Sequence, residues 1–133
     1  MPLVRISMLK GKPASYRRKV GDAVHQAMVE TIDVPAKDRF QLITEHDPED
    51  FVYDREFLGM ARSRELVIIQ ITLAFGRSLH LKRALYRTIA ERLGTAAGLR
   101  PDDVLINLVE VASENWSFGN GIASYAPMET VAA

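Results

Sequence analysis

The feature that most constrains the fold of this chain is a pattern of residues that occurs twice. Gly11-Lys12-Pro13 and Gly76-Arg77-Ser78 stand 65 residues apart, each after a strand-like run and before a helix-like one. Pro35 and Pro101 stand 66 residues apart, each between a predicted helix and a predicted strand. Such spacing predicts two βαβ units of nearly equal length. Chance similarity of two βαβ segments is the alternative, and the agreement between the two offsets disfavours it.

Periodicity predicts the elements of both units. In the first, residues 2–9 form a strand, residues 15–32 an amphipathic helix with Pro13 near its start, and residues 39–45 a strand. Because a residue before proline is pushed out of the helical region, we expect Asp33-Val34-Pro35 to end that helix. In the second, residues 66–73 form a strand, Ser78 caps a helix that Gly98 ends, and residues 104–111 form a strand.

The predicted fold is α+β: a four-stranded mixed sheet with two helices on one face. At 133 residues the chain has the size of one domain. We expect that domain, 1–133, to contain a first βαβ unit (2–45), a connector (46–64), a second unit (65–111) and a C-terminal tail (112–133).

The way the two units join decides where their ends meet. Strands within a βαβ unit are parallel, with a right-handed crossover. If a pseudo-twofold axis relates the units, the first strand starts beside the end of the third, which brings the nitrogen of Pro2 near Gly76-Arg77. Both helices then cover one face, and a bare face rich in Val, Ile and Leu implies an oligomer.

The charge balance and the absence of cysteine exclude several classes of protein. The 17 basic and 17 acidic side chains cancel, so bulk charge does not indicate a nucleic-acid partner. Having no cysteine excludes disulfides and thiolate metal sites and fits a reducing cytoplasm. We find neither a membrane-spanning apolar run nor a signal-peptide pattern. Because His25, His46 and His80 are scattered, with no carboxylate cluster at ligand spacing, we expect no metal site.

Pro2 gives the first indication of chemistry. An initiator methionine is normally removed when the next residue is small, and removal here would expose a secondary amine at the start of a strand. An α-amino group has an ordinary pKa of about 7.7–8.0, so it can act near neutrality as acid, base or nucleophile. Apolar surroundings would lower the pKa of this amine, and a nearby carboxylate would raise it. Many unrelated proteins also begin Met-Pro, so this dipeptide alone does not establish catalysis.

With these features the chain resembles the tautomerase superfamily, which is built from βαβ units with an amino-terminal proline. It is most similar to the group that includes malonate semialdehyde decarboxylase. The segments that carry this resemblance are Asp22-Ala23 with His25, Ala27-Met28, Val34-Pro35 with Asp38-Arg39, and Trp116-Ser117-Phe118-Gly119 with Gly121. The Gly76-Arg77-Ser78 turn and the Phe118-Gly119-x-Gly121 segment also resemble parts of 4-oxalocrotonate tautomerase that bind a substrate carboxylate and line its active site.

The resemblance implies roles for particular residues. Pro2 would be the catalytic amine, Asp38 would orient or activate a water molecule, and Arg77 would bind a substrate carboxylate. Phe118 and Trp116 would line the site. The decarboxylase has two arginines flanking a proline at this turn, whereas this chain has a single arginine in a turn one residue shorter.

Each of these residues also has a structural interpretation. Arg77 can be a solvated residue at a helix start, and Asp38 can pair with Arg39 or Lys37. Trp116 and Phe118 can belong to the core or to an interface. Arg39 is itself more typical of a structural residue, although it is the next candidate for holding a substrate carboxylate. His25, set between apolar neighbours on a helix, is predicted to be buried and hydrogen-bonded.

The sequence therefore predicts a cofactor-independent enzyme that catalyses keto–enol tautomerisation of a small carboxylic acid. A decarboxylase or hydratase is the close alternative, and a non-catalytic trimeric binding protein is the further one. We expect a cytoplasmic homotrimer whose ligand is a small carboxylate, with neither nucleic acid nor membrane as a partner.

Overall fold

The computed structural model describes residues 2–128, and the predicted four strands and two helices are all present in it. The observed bounds differ from the predicted ones by at most two residues. They are β1 (Leu3–Leu9), α1 (Ala14–Ile32), β2 (Gln41–His46), β3 (Val67–Ala74), α2 (Leu79–Ala97) and β4 (Val104–Val111). No helix in the described residues is both long and apolar enough to cross a bilayer.

The strands form one mixed sheet in the order β2-β1-β3-β4. β1 is parallel to β2 and β3 is parallel to β4, whereas β1 and β3 are antiparallel. Leu3 lies opposite Thr72 in the central pair, so Pro2 stands at the end of the sheet where β3 finishes. The predicted arrangement of two βαβ units is confirmed.

Local signals set the ends of both helices. Pro13 precedes α1 with φ −68°, and the Ser78 side chain caps α2 by accepting the Leu81 N–H at 3.2 Å. Gly98 ends α2 with φ 68°, the left-handed conformation that glycine adopts without strain. α1 ends at Ile32, as predicted, and Asp33 after it takes the left-handed conformation with φ 55°.

Both helices pack on one face of the sheet and enclose the core. The central strands alternate strictly, and every second side chain is buried under the helices. Fully burying an aliphatic side chain stabilises a fold by about 1.5–3 kcal/mol, so this layer dominates stability. Its largest members are Ile6, Met28, Ile69, Ile71, Leu73, Leu85, Ile89 and Leu93.

The opposite face of the sheet, which was predicted to be bare and rich in Val, Ile and Leu, carries polar as well as apolar side chains. Leu105 and Val109 are partly exposed there, 37% and 36% respectively. Across the middle, however, Arg5, Gln70 and Asn107 lie in register, and the Gln70 amide donates to Asn107 Oδ1 at 3.1 Å. Apolar patches on this face are therefore separated by a polar row.

The repeat proves to be regular at 65 residues. Val4 pairs with Gln41, and Ile69 pairs with Ile106, the residues 65 positions later. The predicted connector and tail also match each other. Their short 3₁₀ turns, Pro48–Asp50 and Ser113–Asn115, are again 65 residues apart. The offset of 66 between Pro35 and Pro101 is local to those two loops.

Candidate active site

Pro2 and Asp38 lie at the same end of the sheet. Pro2 is buried at the entrance to β1. The next residues of β1 reach the start of β2, where the Val4 N–H donates to the Phe40 carbonyl at 3.0 Å. Asp38 lies two residues before Phe40 and is only 7% exposed. A buried carboxylate therefore stands close to the start of the first strand.

Two hydrogen bonds hold the turn that carries Asp38. The Asp38 N–H donates to the Pro35 carbonyl at 2.9 Å, which closes the turn. His25 is 7% exposed, and its Nε2 hydrogen-bonds the Ala36 carbonyl at 2.8 Å. The prediction that His25 is buried and hydrogen-bonded is confirmed, and its contact steadies the loop that presents Asp38.

Four aromatic rings form a wall over this end of the sheet. Trp116 and Phe118 are stacked with centroids 5.1 Å apart, and Phe118 contacts Phe40 at 6.0 Å and Tyr125 at 5.6 Å. The loop is closed by Ser124, whose N–H donates to the Trp116 carbonyl and whose hydroxyl accepts the Phe118 N–H, both at 3.0 Å. The two predicted aromatic residues thus come together with two that the sequence interpretation missed.

Tyr125 links the aromatic wall to Asp38. Burial, and secondarily the negative charge of Asp38, raise the pKa of the Tyr125 phenol. The phenol therefore lies within electrostatic reach of that carboxylate. Pro2, Asp38 and the aromatic wall consequently belong to one region of the surface.

Arg77 follows β3 at this end of the sheet and is partly buried. Its Nη1 donates to the Ala74 carbonyl at 3.0 Å, across a turn in which Gly76 has φ 122°. Lys82 binds Glu110 at 2.6 Å and is the main cause of the lowered pKa of Glu110, with smaller contributions from the Gly76 N–H and the Arg77 charge. Arg77 is thus held on the turn expected from the sequence.

Arg39 does not join this region. Its side chain lies toward α1, where its Nη2 donates to Asp22 Oδ1 at 2.7 Å and to Gln41 Oε1 at 3.0 Å. The ion pair of Arg39 is therefore with Asp22 on α1. Among residues 2–128, no three His, Asp or Glu side chains are arranged to hold a metal ion.

Comparison with known proteins identifies the family. A family model described as "Tautomerase enzyme" matches residues 38–119, and a second with the same description matches residues 2–63. The probable tautomerase YusQ of Bacillus subtilis (strain 168) is 41% identical over 123 residues, which are 92% of this chain and 97% of that protein. The chain belongs to the tautomerase family. Because tautomerisation is an isomerisation, membership of this family indicates that the tautomerase is an isomerase-type enzyme.

Two solved structures place the tautomerase near one branch of the family. FG41 malonate semialdehyde decarboxylase, inhibited by 3-bromopropiolate, is 40% identical with a TM-score of 0.87, over 92% of this chain and 93% of that one. A second malonate semialdehyde decarboxylase, described with decarboxylase and hydratase activities, is 34% identical with a TM-score of 0.86, over 92% and 94%. The resemblance to the decarboxylase-like group is confirmed.

The other end of the tautomerase sheet carries a second buried aspartate. Asp103, 65 residues after Asp38, is 1% exposed. Its Oδ1 accepts the Ser63 N–H at 2.6 Å, and its Oδ2 accepts the Ser63 hydroxyl at 2.7 Å. Val67 is the position that corresponds to Pro2, so Ser63 belongs to the segment of chain that precedes this position in the second unit.

Proposed function

We propose that Pro2, freed by removal of Met1, is the catalytic amine of this tautomerase and that the enzyme interconverts keto and enol forms of a small carboxylic acid. The observation that carries this proposal is the grouping of a buried Pro2, the buried Asp38 and an aromatic wall at one end of the sheet. A largely apolar region with a few polar groups is typical of a small-molecule site.

The proposed reaction needs one group to move a proton and another to hold the acid. A neutral Pro2 nitrogen takes a proton from the substrate and returns it to a neighbouring atom of the enol system, which leaves the composition of the substrate unchanged. Arg77 binds the carboxylate, because its planar guanidinium can make two charge-assisted hydrogen bonds. Trp116 and Phe118 cover the carbon skeleton, and Asp38 orients a water molecule or a substrate hydroxyl.

Decarboxylation or hydration of a short oxo acid is the second candidate. Two observations favour it: the decarboxylases that resemble this chain, at 40% and 34% identity, and the burial of Asp38 at the same end of the sheet as Pro2. Asp38 favours a protonated amine, whereas the apolar wall favours a neutral one. A protonated Pro2 would serve as an acid in these reactions rather than as a proton shuttle.

We also propose that the enzyme is a homotrimer. Phe57 and Leu58 are 63% and 77% exposed on one loop, where Leu58 has a left-handed backbone with φ 62°. Arg62 holds this loop by donating to the Phe57 carbonyl at 2.9 Å. An ordered loop that exposes apolar side chains on a strained backbone suits contact with another copy. A ring of three chains would repeat six similar βαβ units.

A substrate panel tests the proposed reaction. Purified enzyme, with removal of Met1 verified by mass, is given phenylenolpyruvate, 2-hydroxymuconate and malonate semialdehyde. Ultraviolet absorbance follows loss of the enols, and proton NMR identifies the products. We expect turnover of an enol acid; turnover of malonate semialdehyde alone would favour the decarboxylase, and turnover of none would contradict both.

A further inference from the structure

A cavity of about 330 Å³ lies at the end of the sheet opposite Pro2, where β1 and β2 finish. Two arginines, Arg55 and Arg64, form part of its lining. Its volume falls at the lower end of the range of roughly 300–1,000 Å³ that small-molecule sites occupy. The rest of the lining is apolar or aromatic and consists of Leu9, Pro48, Phe51, Val52 and Tyr53.

Two aromatic rings of this lining are fixed by their neighbours. The Phe51 and Tyr53 rings are in contact, with centroids 5.3 Å apart, and Phe51 also packs on the His46 ring at 5.4 Å. The Tyr53 hydroxyl donates to the Ser63 carbonyl at 2.6 Å. Because the polar atom of Tyr53 is engaged, its ring is left to line the cavity as an apolar surface.

Both arginines of the cavity keep an uncompensated charge. Within residues 2–128, neither the Arg55 nor the Arg64 guanidinium has a hydrogen-bond or ion-pair partner. The nearby acids in the chain are engaged elsewhere. Asp47 pairs with Lys10 at 2.6 Å, and Asp54 accepts two main-chain N–H groups of its own loop at 2.8 and 2.9 Å. The cavity therefore combines an apolar lining with two positive charges.

The main chain that carries these arginines is held in place. The Arg62 N–H donates to the Arg55 carbonyl at 3.0 Å. Arg64 directly follows Ser63, whose N–H and hydroxyl are bonded to Asp103 at 2.6 and 2.7 Å. Holding these backbone positions before binding reduces the ordering that a ligand would have to impose.

The cations at this end of the sheet differ from those at the Pro2 end. Lys12 lies 65 positions before Arg77 and belongs to the equivalent turn. It is already paired, because its Nζ binds the Glu65 carboxylate at 2.7 Å. The positive charge available to a ligand here thus comes from Arg55 and Arg64, on the connector between the two βαβ units.

We infer that this cavity is a second binding site and that it takes a small aromatic carboxylate. The ring of the ligand packs against Phe51 and Tyr53, since aromatic rings favour tilted or offset contacts with one another. Its carboxylate lies on Arg55 and Arg64, because a guanidinium can make two charge-assisted hydrogen bonds to such a group. The inference uses no residue of the Pro2 end, so it stands apart from the proposed reaction.

Binding of the acid at this site should leave it unchanged. Proton transfer or covalent catalysis needs a base, an acid or a nucleophile within reach of the ligand. Of the described residues that line the cavity, none carries a carboxylate, an imidazole or an amine. The Tyr53 hydroxyl already donates to a main-chain carbonyl. The second site is therefore one for binding rather than for turnover.

Three probes test the inference: benzoate, benzamide without the charge, and acetate without the ring. The protein is the full-length chain with Arg77→Ala, which weakens carboxylate binding at the Pro2 end. Titration calorimetry gives the affinity and the number bound, and NMR contacts with the Tyr53 ring, assigned with Tyr53→Phe, locate the ligand. We expect one benzoate per chain in contact with Tyr53. It should bind at least roughly tenfold more tightly than benzamide or acetate.

Matched substitutions then assign the carboxylate to its arginines. Arg55→Gln and Arg64→Gln should each weaken benzoate binding several-fold, and the two together should reduce it to the level of benzamide. Arg83→Gln, the same change at an exposed position of α2, is the control and should leave the affinity unchanged. Equal dissociation constants for benzoate and benzamide, no contact between benzoate and Tyr53, or undiminished binding in the doubly substituted protein would overturn the inference.

Discussion

Asp38 and Asp103 hold the same position in two halves of one sheet, yet they face different neighbours. Asp103 is bonded through both oxygens to Ser63, in the segment that leads into β3. Asp38 precedes β2 at the end of the sheet where β1 starts, and the same end carries Pro2 and the aromatic wall. One residue type thus fastens the backbone in the second half and borders the candidate site in the first.

This pair provides a matched comparison. Asp38→Asn should reduce decarboxylation or hydration more than tautomerisation, because the first two reactions use a positioned water molecule or a departing carboxylate. The measurement is the ratio of the two activities on one preparation of enzyme. An equal loss of both, accompanied by a lower melting temperature, would show that Asp38 has a structural role.

The control is Asp103→Asn, which should act on stability instead. An amide cannot accept the same pair of charge-assisted hydrogen bonds from Ser63, so the free energy of unfolding should fall by about 1–3 kcal/mol. Urea unfolding measures this change. The ratio of the two activities should remain that of the wild type.

Blocking the amino group of Pro2 should abolish most of the activity. A lysine inserted between Met1 and Pro2 prevents trimming and keeps the Pro2 nitrogen in a peptide bond, where it is no longer a basic amine. We expect a loss of roughly a hundred- to ten-thousandfold, the usual contribution of a general acid or base. Pro2→Ala, which leaves a primary amine, should lose less. Full activity in a preparation whose mass shows retained residues ahead of Pro2 would rule out the amine.

Arg77→Ala should weaken the use of carboxylate substrates. Losing a charge-assisted interaction of about 1.5–3 kcal/mol lowers kcat/KM roughly ten- to a hundredfold or somewhat more. Much of the loss should appear in KM, and Arg77→Lys should recover only part of it because the ammonium lacks the planar fork. Lys12→Ala is the control. If an amide analogue of the substrate loses as much as the acid does, Arg77 only shapes its turn.

Tyr125 should titrate above its ordinary pKa of 10.0. Because the folded protein holds this proton more tightly, the free energy of unfolding should be unaffected below about pH 10 and fall as pH rises beyond it. The difference in tyrosinate absorbance between wild type and Tyr125→Phe isolates this phenol. Asp38→Asn should lower the pKa only in part, since burial is the larger cause. A Tyr125 pKa at or below the ordinary value would contradict the geometry.

The proposed trimer can be tested by light scattering at micromolar concentration. Leu58→Asp should shift the population toward monomers, because a charge on the exposed loop opposes apolar contact. Tyr86→Asp on the outer surface of α2 is a control that should leave the mass unchanged. A stable wild-type monomer would refute the trimer.

Much of the fold could be predicted because the sheet and helices bury their side chains with regular periods. For Arg39 the sequence left two interpretations open, a structural residue or a group that binds the substrate carboxylate. Only the three-dimensional contacts of its side chain, with Asp22 and Gln41, separate them. Tyr125 was missed because its contact with Phe118 depends on a loop containing Asn120 with φ 60° and Gly121 with φ 66°. No periodic signal encodes such a loop.

The relation between connector and tail could have been found from the sequence. Extending the 65-residue spacing pairs Phe51 with Trp116 and Tyr53 with Phe118, but these pairs share only aromatic character. The offset of 66 between the prolines concealed the match between Asp38 and Asp103. Strand register removed that ambiguity, because hydrogen-bonded partners fix every position along β2 and β4.

The unbroken backbone from Ser63 into β3 determines how many reactive ends one molecule can have. Val67, the counterpart of Pro2, carries a peptide nitrogen simply because other residues precede it. Chain connectivity, more than the architecture of the sheet, therefore limits the molecule to one amino terminus. If the gene were split before Val67 and proline were encoded there, the second fragment would begin with a free secondary amine next to Asp103. Two such fragments, reassembled through the pairing of β1 with β3, would present a reactive end at each side of the same sheet.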